Sequence, residues 1–324
     1  MRELGGKVAV ITGAGAGIGR ATALALSGHG TTVAVCDIDA DAAKETVGLV
    51  QAAGGQASFH QVDVTSEAEM RGLVDAVLAE HGVVDIVVNN AGIAGPTAAT
   101  ADVPLDRFRT VMAVNFWGVV HGSVAFLPHL VTRPEANLVN MASNAGILAY
   151  SKMAAYNSSK FAVRGFTETL RMELRSTPVR VTVVCPGVTG TQFVAHSPVI
   201  DEAERRTMQE RFDKTWTTKP EKVAAGIVSA IRRDRPRLLV GPDTAALDAI
   251  VRLLPAAHSR LLARPVDLLF RQALGRRACA EPRWIPTTSS SSCSAIRRPR
   301  IPTRCTGACG RRPRTIPACW ACAS

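Results

Sequence analysis

Lys7-Val8-Ala9-Val10-Ile11-Thr12 is a short apolar run of strand character that leads into Gly13-Ala14-Gly15-Ala16-Gly17-Ile18-Gly19 and then into the helix formers Arg20-Ala21-Thr22-Ala23-Leu24-Ala25-Leu26. The order is strand, glycine-rich turn, helix. Glycines let the backbone turn tightly and approach a pyrophosphate, while free N–H groups and the dipole at the helix start attract its negative charge. The spacing is G-x-x-x-G-x-G rather than the commoner G-x-G-x-x-G, and a glycine turn alone specifies little. Its setting adds weight, because the next strand, Thr32-Val33-Ala34-Val35-Cys36, carries no charge until it ends on Asp37. A carboxylate there can accept both ribose hydroxyls of an adenosine and repels a 2′-phosphate, which favours NAD over NADP.

Working outward, strand patterns near 7–12, 32–37, 56–61, 85–89, 137–141, 180–185 and 237–240 alternate with helix patterns near 18–29, 40–53, 67–81, 104–130, 154–176 and 220–234. This alternation predicts βαβ units and an α/β fold, a doubly wound parallel sheet of Rossmann type with helices on both faces. Right-handed crossovers then gather the strand ends along one edge. Helix starts agree: Thr65-Ser66 offers a hydroxyl cap before Glu67 and Glu69, and Pro220 stands at a first helical position.

Tyr156-Asn157-Ser158-Ser159-Lys160 follows Ser143 by thirteen residues. On a helix, Tyr156 and Lys160 share a face at i and i+4, and a neighbouring cation favours the phenolate. The spacing predicts a phenol that exchanges a proton with an alcohol or ketone near neutral pH, with Ser143 holding the same oxygen. Alone, Y-x-x-x-K is common on amphipathic helices; the glycine turn and Asp37 give it its meaning.

These motifs resemble those of the short-chain dehydrogenase/reductase family, over about residues 4–240. Thr12 to Gly19 is similar to its cofactor turn, Asp63-Val64 to its adenine-contacting pair, and Asn89-Asn90-Ala91-Gly92 to the segment after its fourth strand. Asn115, Ser143, Tyr156 and Lys160 match its catalytic tetrad, and Pro186-Gly187 matches the pair bordering the nicotinamide. In the P-G-x-V-x-T pattern, Thr189 replaces the valine, and Ala16 stands where NADP-preferring relatives carry a basic residue. The resemblance implies catalysis by Asn115, Ser143, Tyr156 and Lys160. It implies a cofactor site formed by Gly13, Gly17, Ile18, Gly19, Asp37, Asp63, Val64, Asn89, Ala91, Gly92, Tyr156, Lys160, Pro186, Gly187, Val188 and Thr191. It also implies a homodimer or homotetramer built on the helices near 104–130 and 154–176.

The 324 residues, 47% hydrophobic, can bury a large core. The expected organisation is a single catalytic domain at 1–243, an amphipathic helical extension at 244–275 and a disordered tail at 276–324. Net charge is +11, yet from Arg271 onward eleven arginines face the single acid Glu281, so the rest of the chain carries only +1. No basic stripe for nucleic acid is expected in the folded part. The start lacks a signal pattern, and the chain reads as having no uninterrupted apolar run of transmembrane length, so a cytoplasmic location is expected. Leucines and arginines interleaved between 244 and 275 suit a membrane surface, but packing on the domain or a second subunit is the preferred expectation.

Cys36 and Cys185 are expected as small buried hydrophobes on strands. Six cysteines lie in the tail, where the sudden gain of Arg, Pro and Cys also suits a shifted reading frame. No metal is expected: Cys305, Cys309, Cys319 and Cys322 lack a folded setting, and the seven histidines show no ligand spacing. Phe193, Val194, Phe212 and Trp216 within 188–217 suggest the apolar underside of a lid, and Ile147, Leu148 and Met153 an apolar pocket beside the reacting groups.

The predicted reaction is reversible oxidation of a secondary alcohol to a ketone on a small apolar substrate, with NAD preferred. The alternatives are an NADP-dependent carbonyl reductase and a dinucleotide sensor without turnover.

Overall fold

The computed structural model describes residues 1–191, 193–194, 197–202, 205–206 and 218–258. Seven strands form one sheet: β1 Val8–Thr12, β2 Thr32–Asp37, β3 Ala57–Gln61, β4 Ile86–Asn89, β5 Ala136–Met141, β6 Val179–Pro186 and β7 Arg237–Val240. Their order is β3-β2-β1-β4-β5-β6-β7, and every neighbouring pair is parallel. The helices are α1 Gly17–Ser27, α2 Ala40–Ala52, α3 Glu67–His81, α4 Leu105–Met112, α5 Gly118–Leu130, α6 Ala154–Glu173, α7 Pro220–Arg233 and α8 Pro242–Leu253.

Burial on both faces of the sheet explains why β1 and β2 are apolar along nearly their whole length. Ala9 and Ile11 of β1 face one core with Leu26 of α1, Val50 of α2 and Ile227 of α7. Val10 faces the opposite core with Met70 and Val77 of α3, Phe126 of α5 and Leu170 of α6. A sheet covered on both faces needs apolar residues at both parities, so its strands read as continuous hydrophobic runs. The doubly wound Rossmann-type sheet is therefore observed as the pattern predicted.

Local signals hold as well. The Ser66 hydroxyl accepts the Glu69 N–H at 3.2 Å to start α3, and Pro220 occupies the first turn of α7. Cys36 and Cys185 are buried on β2 and β6.

One expected helix differs. The segment near 104–130 consists of α4 and α5 joined by a π-helical turn, Ala113–Trp117. An inserted residue of this kind shifts the face presented to the core, and here it carries Asn115 inward. Leu105–Leu130 is also long and apolar enough, by length and composition alone, to cross a membrane, although Asp106, Arg107, Arg109 and Asn115 interrupt its apolar run. Its inner side buries Val111, Val119, Phe126 and Leu130 in the core, while Trp117 and Val124 face outward, so both sides are apolar.

α8 begins at Pro242, just before the expected boundary at 243/244. Its Asp248 pairs with Arg237 of β7 at 2.6 Å, and both side chains are largely buried. The remainder of the expected extension, 259–275, and the tail 276–324 lie outside the described residues, as do Phe212 and Trp216.

Phe126 is fully buried among the helices of the second core. Phe126→Ala is expected to lower unfolding free energy by about 3–5 kcal/mol, read from the urea midpoint at unchanged m-value.

Candidate active site

The glycine turn is bound to the end of β4. The Thr12 hydroxyl accepts the N–H groups of Asn90 at 3.0 Å and Ala91 at 3.2 Å. In return the Asn90 amide donates to the carbonyls of Thr12 at 2.9 Å and Gly13 at 2.8 Å. Gly13 and Gly17 have φ of +62° and +54°, and a Cβ on Gly19 would lie 2.1 Å from the Gly13 carbonyl oxygen. Larger residues therefore cannot keep this turn.

At the start of α1, Ala16 offers no side-chain cap, which leaves the first N–H groups of the helix without an acceptor from that residue. The Asp37 carboxylate accepts the Gly15 N–H at 2.8 Å and the Asp39 N–H at 3.1 Å, fixing it beside the turn. A cradle that a Cβ would fill, an uncapped helix start and an adjacent carboxylate fit a pyrophosphate dinucleotide.

On the other side of the crevice, Ser143 follows β5 and opens a 3₁₀ turn, accepting the Ala145 N–H at 3.2 Å. Its hydroxyl donates to Asn144 Oδ1 at 3.1 Å and is close enough to the Tyr156 phenol to favour its ionised form. Tyr156 and Lys160 lie four apart on α6. Lys160 is buried, with Nζ donating to the Met141 carbonyl at 3.0 Å and lying 5.8 Å from the centre of the Tyr156 ring. Asn115 is buried; its Oδ1 accepts the Ile93 N–H at 2.7 Å, and its Nδ2 donates to the Ile93 carbonyl at 3.0 Å and the Ser159 hydroxyl at 3.2 Å. Gly92 joins the two groups: a Cβ there would meet Asn115 Oδ1 at 3.2 Å and Lys160 Nζ at 3.5 Å. The four residues expected from separate stretches of sequence thus meet in one place.

Their acidities differ from expectation. Tyr156 is raised above the usual phenol value by burial, partly offset by the hydrogen bond from Ser143, so the expectation of a phenol titrating near neutral pH is corrected. Lys160 is itself desolvated and pushed down to about 8, and its ammonium is directed at the Met141 carbonyl. Here desolvation outweighs charge attraction. Tyr150 is raised too, by burial first and then by the charges of Asp243 and Tyr156.

The remaining expected residues divide into two groups. Pro186 and Gly187 are buried at the end of β6, where Gly187 leaves room for the Asp243 carboxylate. Thr191 packs across Gly17, and the Val188 carbonyl accepts the Thr218 N–H at 2.8 Å. The Asp63 carboxylate accepts the Thr65 N–H at 2.9 Å beyond β3.

Two side chains point elsewhere. Asn89 donates to Asn140 Oδ1 at 2.8 Å and to the Ser123 hydroxyl at 3.1 Å, bracing β4 to β5 and α5 inside the core. Val64 packs in the second core against Gly118. Only the main chain of these two stands near the strand ends.

Phe193 packs edge-on against Tyr156, ring centres 5.9 Å apart, and Val194 is buried below, so the apolar underside expected for the covering segment holds at these two positions. Ile147 belongs to the core with Val163 and Val183 rather than to a pocket. Sequence reasoning gave no role to Asn90 and Ser159 within their motifs and missed the Met141 carbonyl, because these roles depend on partners remote in the sequence.

The short chain dehydrogenase family model matches residues 7–199. The chain belongs to the short-chain dehydrogenase family. Among its relatives, a Mycobacterium tuberculosis protein that carries the name oxidoreductase SadH is 40% identical over 276 residues, covering 83% of this chain and 99% of the relative. A short-chain dehydrogenase/reductase from Burkholderia phymatum, solved in complex with NAD, superposes with a TM-score of 0.73 at 32% identity, covering 79% of this chain and 96% of its own. A metagenomic short-chain oxidoreductase solved in complex with NADP superposes with a TM-score of 0.62 at 27% identity, covering 74% and 97%. Members of this family thus take either dinucleotide, and this chain is an oxidoreductase of the short-chain dehydrogenase type.

Burial of the Lys160 ammonium gives a testable pH signature. The unfolded chain keeps that proton up to the ordinary value of 10.5, whereas the folded protein releases it at about 8. Between these values the unfolded state binds more protons, so this group makes stability rise with pH, by up to roughly 3 kcal/mol. Urea denaturation across that window should show the rise in the wild type and its loss in Lys160→Met.

Proposed function

We propose that this short-chain dehydrogenase interconverts a secondary alcohol and a ketone on a small apolar substrate, using NAD in preference to NADP. The observation that carries the reading is the convergence of the four side chains: Asn115 Oδ1 and Lys160 Nζ flank Gly92, Lys160 Nζ lies 5.8 Å from the centre of the Tyr156 ring, and Ser143 is close enough to the phenol to favour its ionised form.

A bound nicotinamide dinucleotide supplies the acceptor or donor of the hydride. Tyr156 exchanges the proton of the substrate oxygen: it takes the hydroxyl proton as the alcohol is oxidised and returns it as the ketone is reduced. Ser143 holds the same oxygen and, by donating to the phenolate, lowers the cost of that charge. The raised phenol suits the proton-donating direction, since the resting side chain carries its proton. Lys160, held by the Met141 carbonyl, and Asn115, held by Ile93 and Ser159, keep this polar cluster in place. Binding that fixes the carbinol carbon in line supplies much of the rate gain. Phe193 above Tyr156 supports an apolar substrate. Asp37, fixed beside the glycine turn, supports NAD because a 2′-phosphate would meet its charge. Exposed Trp117, Val124, Phe161 and Met172 on and beside α5 and α6 support a homodimer or homotetramer.

Tyr156→Phe should lower turnover by about 10²–10⁴-fold while NADH binding, followed by fluorescence, stays unchanged. Unchanged turnover would remove the assignment. Asp37→Ala should narrow the NAD-to-NADP ratio of kcat/KM by about tenfold, the equivalent of about 1.4 kcal/mol.

A further inference from the structure

Ser58 and His60 alternate onto the same face of edge strand β3, the face on which α3 packs. The last turn of α3 carries Glu80 and His81 to that face. Histidines and a carboxylate twenty residues apart in the chain therefore converge: the ligand atoms of His60, Glu80 and His81 all lie within 4.8 Å of one another.

The geometry is close to that of an ion cage. His60 Nε2 is 3.6 Å from one Glu80 carboxylate oxygen, and His81 Nε2 is 3.8 Å from the other. A tetrahedral ion with bonds of about 2.1 Å sets its ligand atoms about 3.4 Å apart. The Ser58 hydroxyl stands between the rings, 3.1 Å from His60 Nε2 and 2.8 Å from His81 Nε2, where it closes the fourth side. Both imidazole side chains are only 12–13% exposed, whereas the carboxylate is half exposed, which leaves an entry path from solvent. The C-terminal end of α3 adds partial negative charge, which favours a cation.

We propose that His60, Glu80 and His81 form a binding site for a divalent transition-metal ion of the Zn²⁺ class, with Ser58 or a water as the fourth ligand. The ion ties edge strand β3 to the end of α3. Three strands separate β3 from β5, after which the reacting side chains lie, so the site stabilises the fold without entering the chemistry.

The test uses the full chain, purified without a polyhistidine tag, stripped with a chelator and titrated with Co²⁺ and Zn²⁺. Sulfur ligands in the cysteine-rich tail would show a thiolate-to-cobalt charge-transfer band; the proposed site gives the d–d spectrum of a tetrahedral nitrogen/oxygen set without it. One such equivalent is expected in the wild type, together with a higher melting temperature in Zn²⁺. Both should vanish in His60→Ala and His81→Ala, and affinity should fall at least about tenfold in Glu80→Gln, whose half-exposed side chain can change without disturbing folding. Retained NADH binding identifies the variants that are folded. A wild type without the nitrogen/oxygen spectrum, or folded variants that keep it, would overturn the proposal.

Discussion

A parallel sheet runs every strand in one direction, so all seven strands end along one edge, and the rest of the molecule is arranged around that fact. The glycine turn after β1, the carboxylate ending β2, Asn90 after β4, Ser143 after β5 and Pro186-Gly187 at the end of β6 share that edge because the chain always returns through a helix. The edge would be loose if each turn stood alone. Thr12 and Asn90 bind the first turn to the fourth strand by four hydrogen bonds, and Asn89 binds the fourth strand to the fifth inside the core. Buried polar pairs of this kind are costly when half-made, so they favour one register of the sheet over its alternatives.

The same burial governs acidity at the crevice. Proximity of an amine to a phenol suggests an easily ionised tyrosine, but both groups have lost water, and desolvation moves each toward its neutral form. Serine offsets part of this for the tyrosine through its hydrogen bond. The resting site therefore holds a protonated phenol next to an amine that gives up its proton unusually readily.

Strands such as β1 and β2 were legible as apolar runs, edge strand β3 by its place in the strand–helix alternation, and the helix starts because Ser66 and Pro220 carry a local mechanism. The break between α4 and α5 was not, since a π-helical turn leaves the apolar composition of Val111 to Leu130 unchanged and alters only which residue faces inward. Val64 and Asn89 illustrate a second limit. A motif fixes where the main chain goes, yet both side chains turn into the core, drawn by Gly118 in one case and by Asn140 and Ser123 in the other. His60 and His81 illustrate a third, because their spacing along the chain has no meaning until a strand and a helix are packed together.

The amino-acid order by itself determined the succession of strands and helices and the parallel architecture, since these follow from periodicity and from glycine and proline placement, while the four candidate residues came from the Tyr156–Lys160 spacing together with the family resemblance. Tertiary structure alone decided which face each side chain took, how far water was excluded from Tyr156 and Lys160, and that two histidines and a glutamate meet. Burial and distances between remote residues are properties of the packed chain, and no local pattern encodes them.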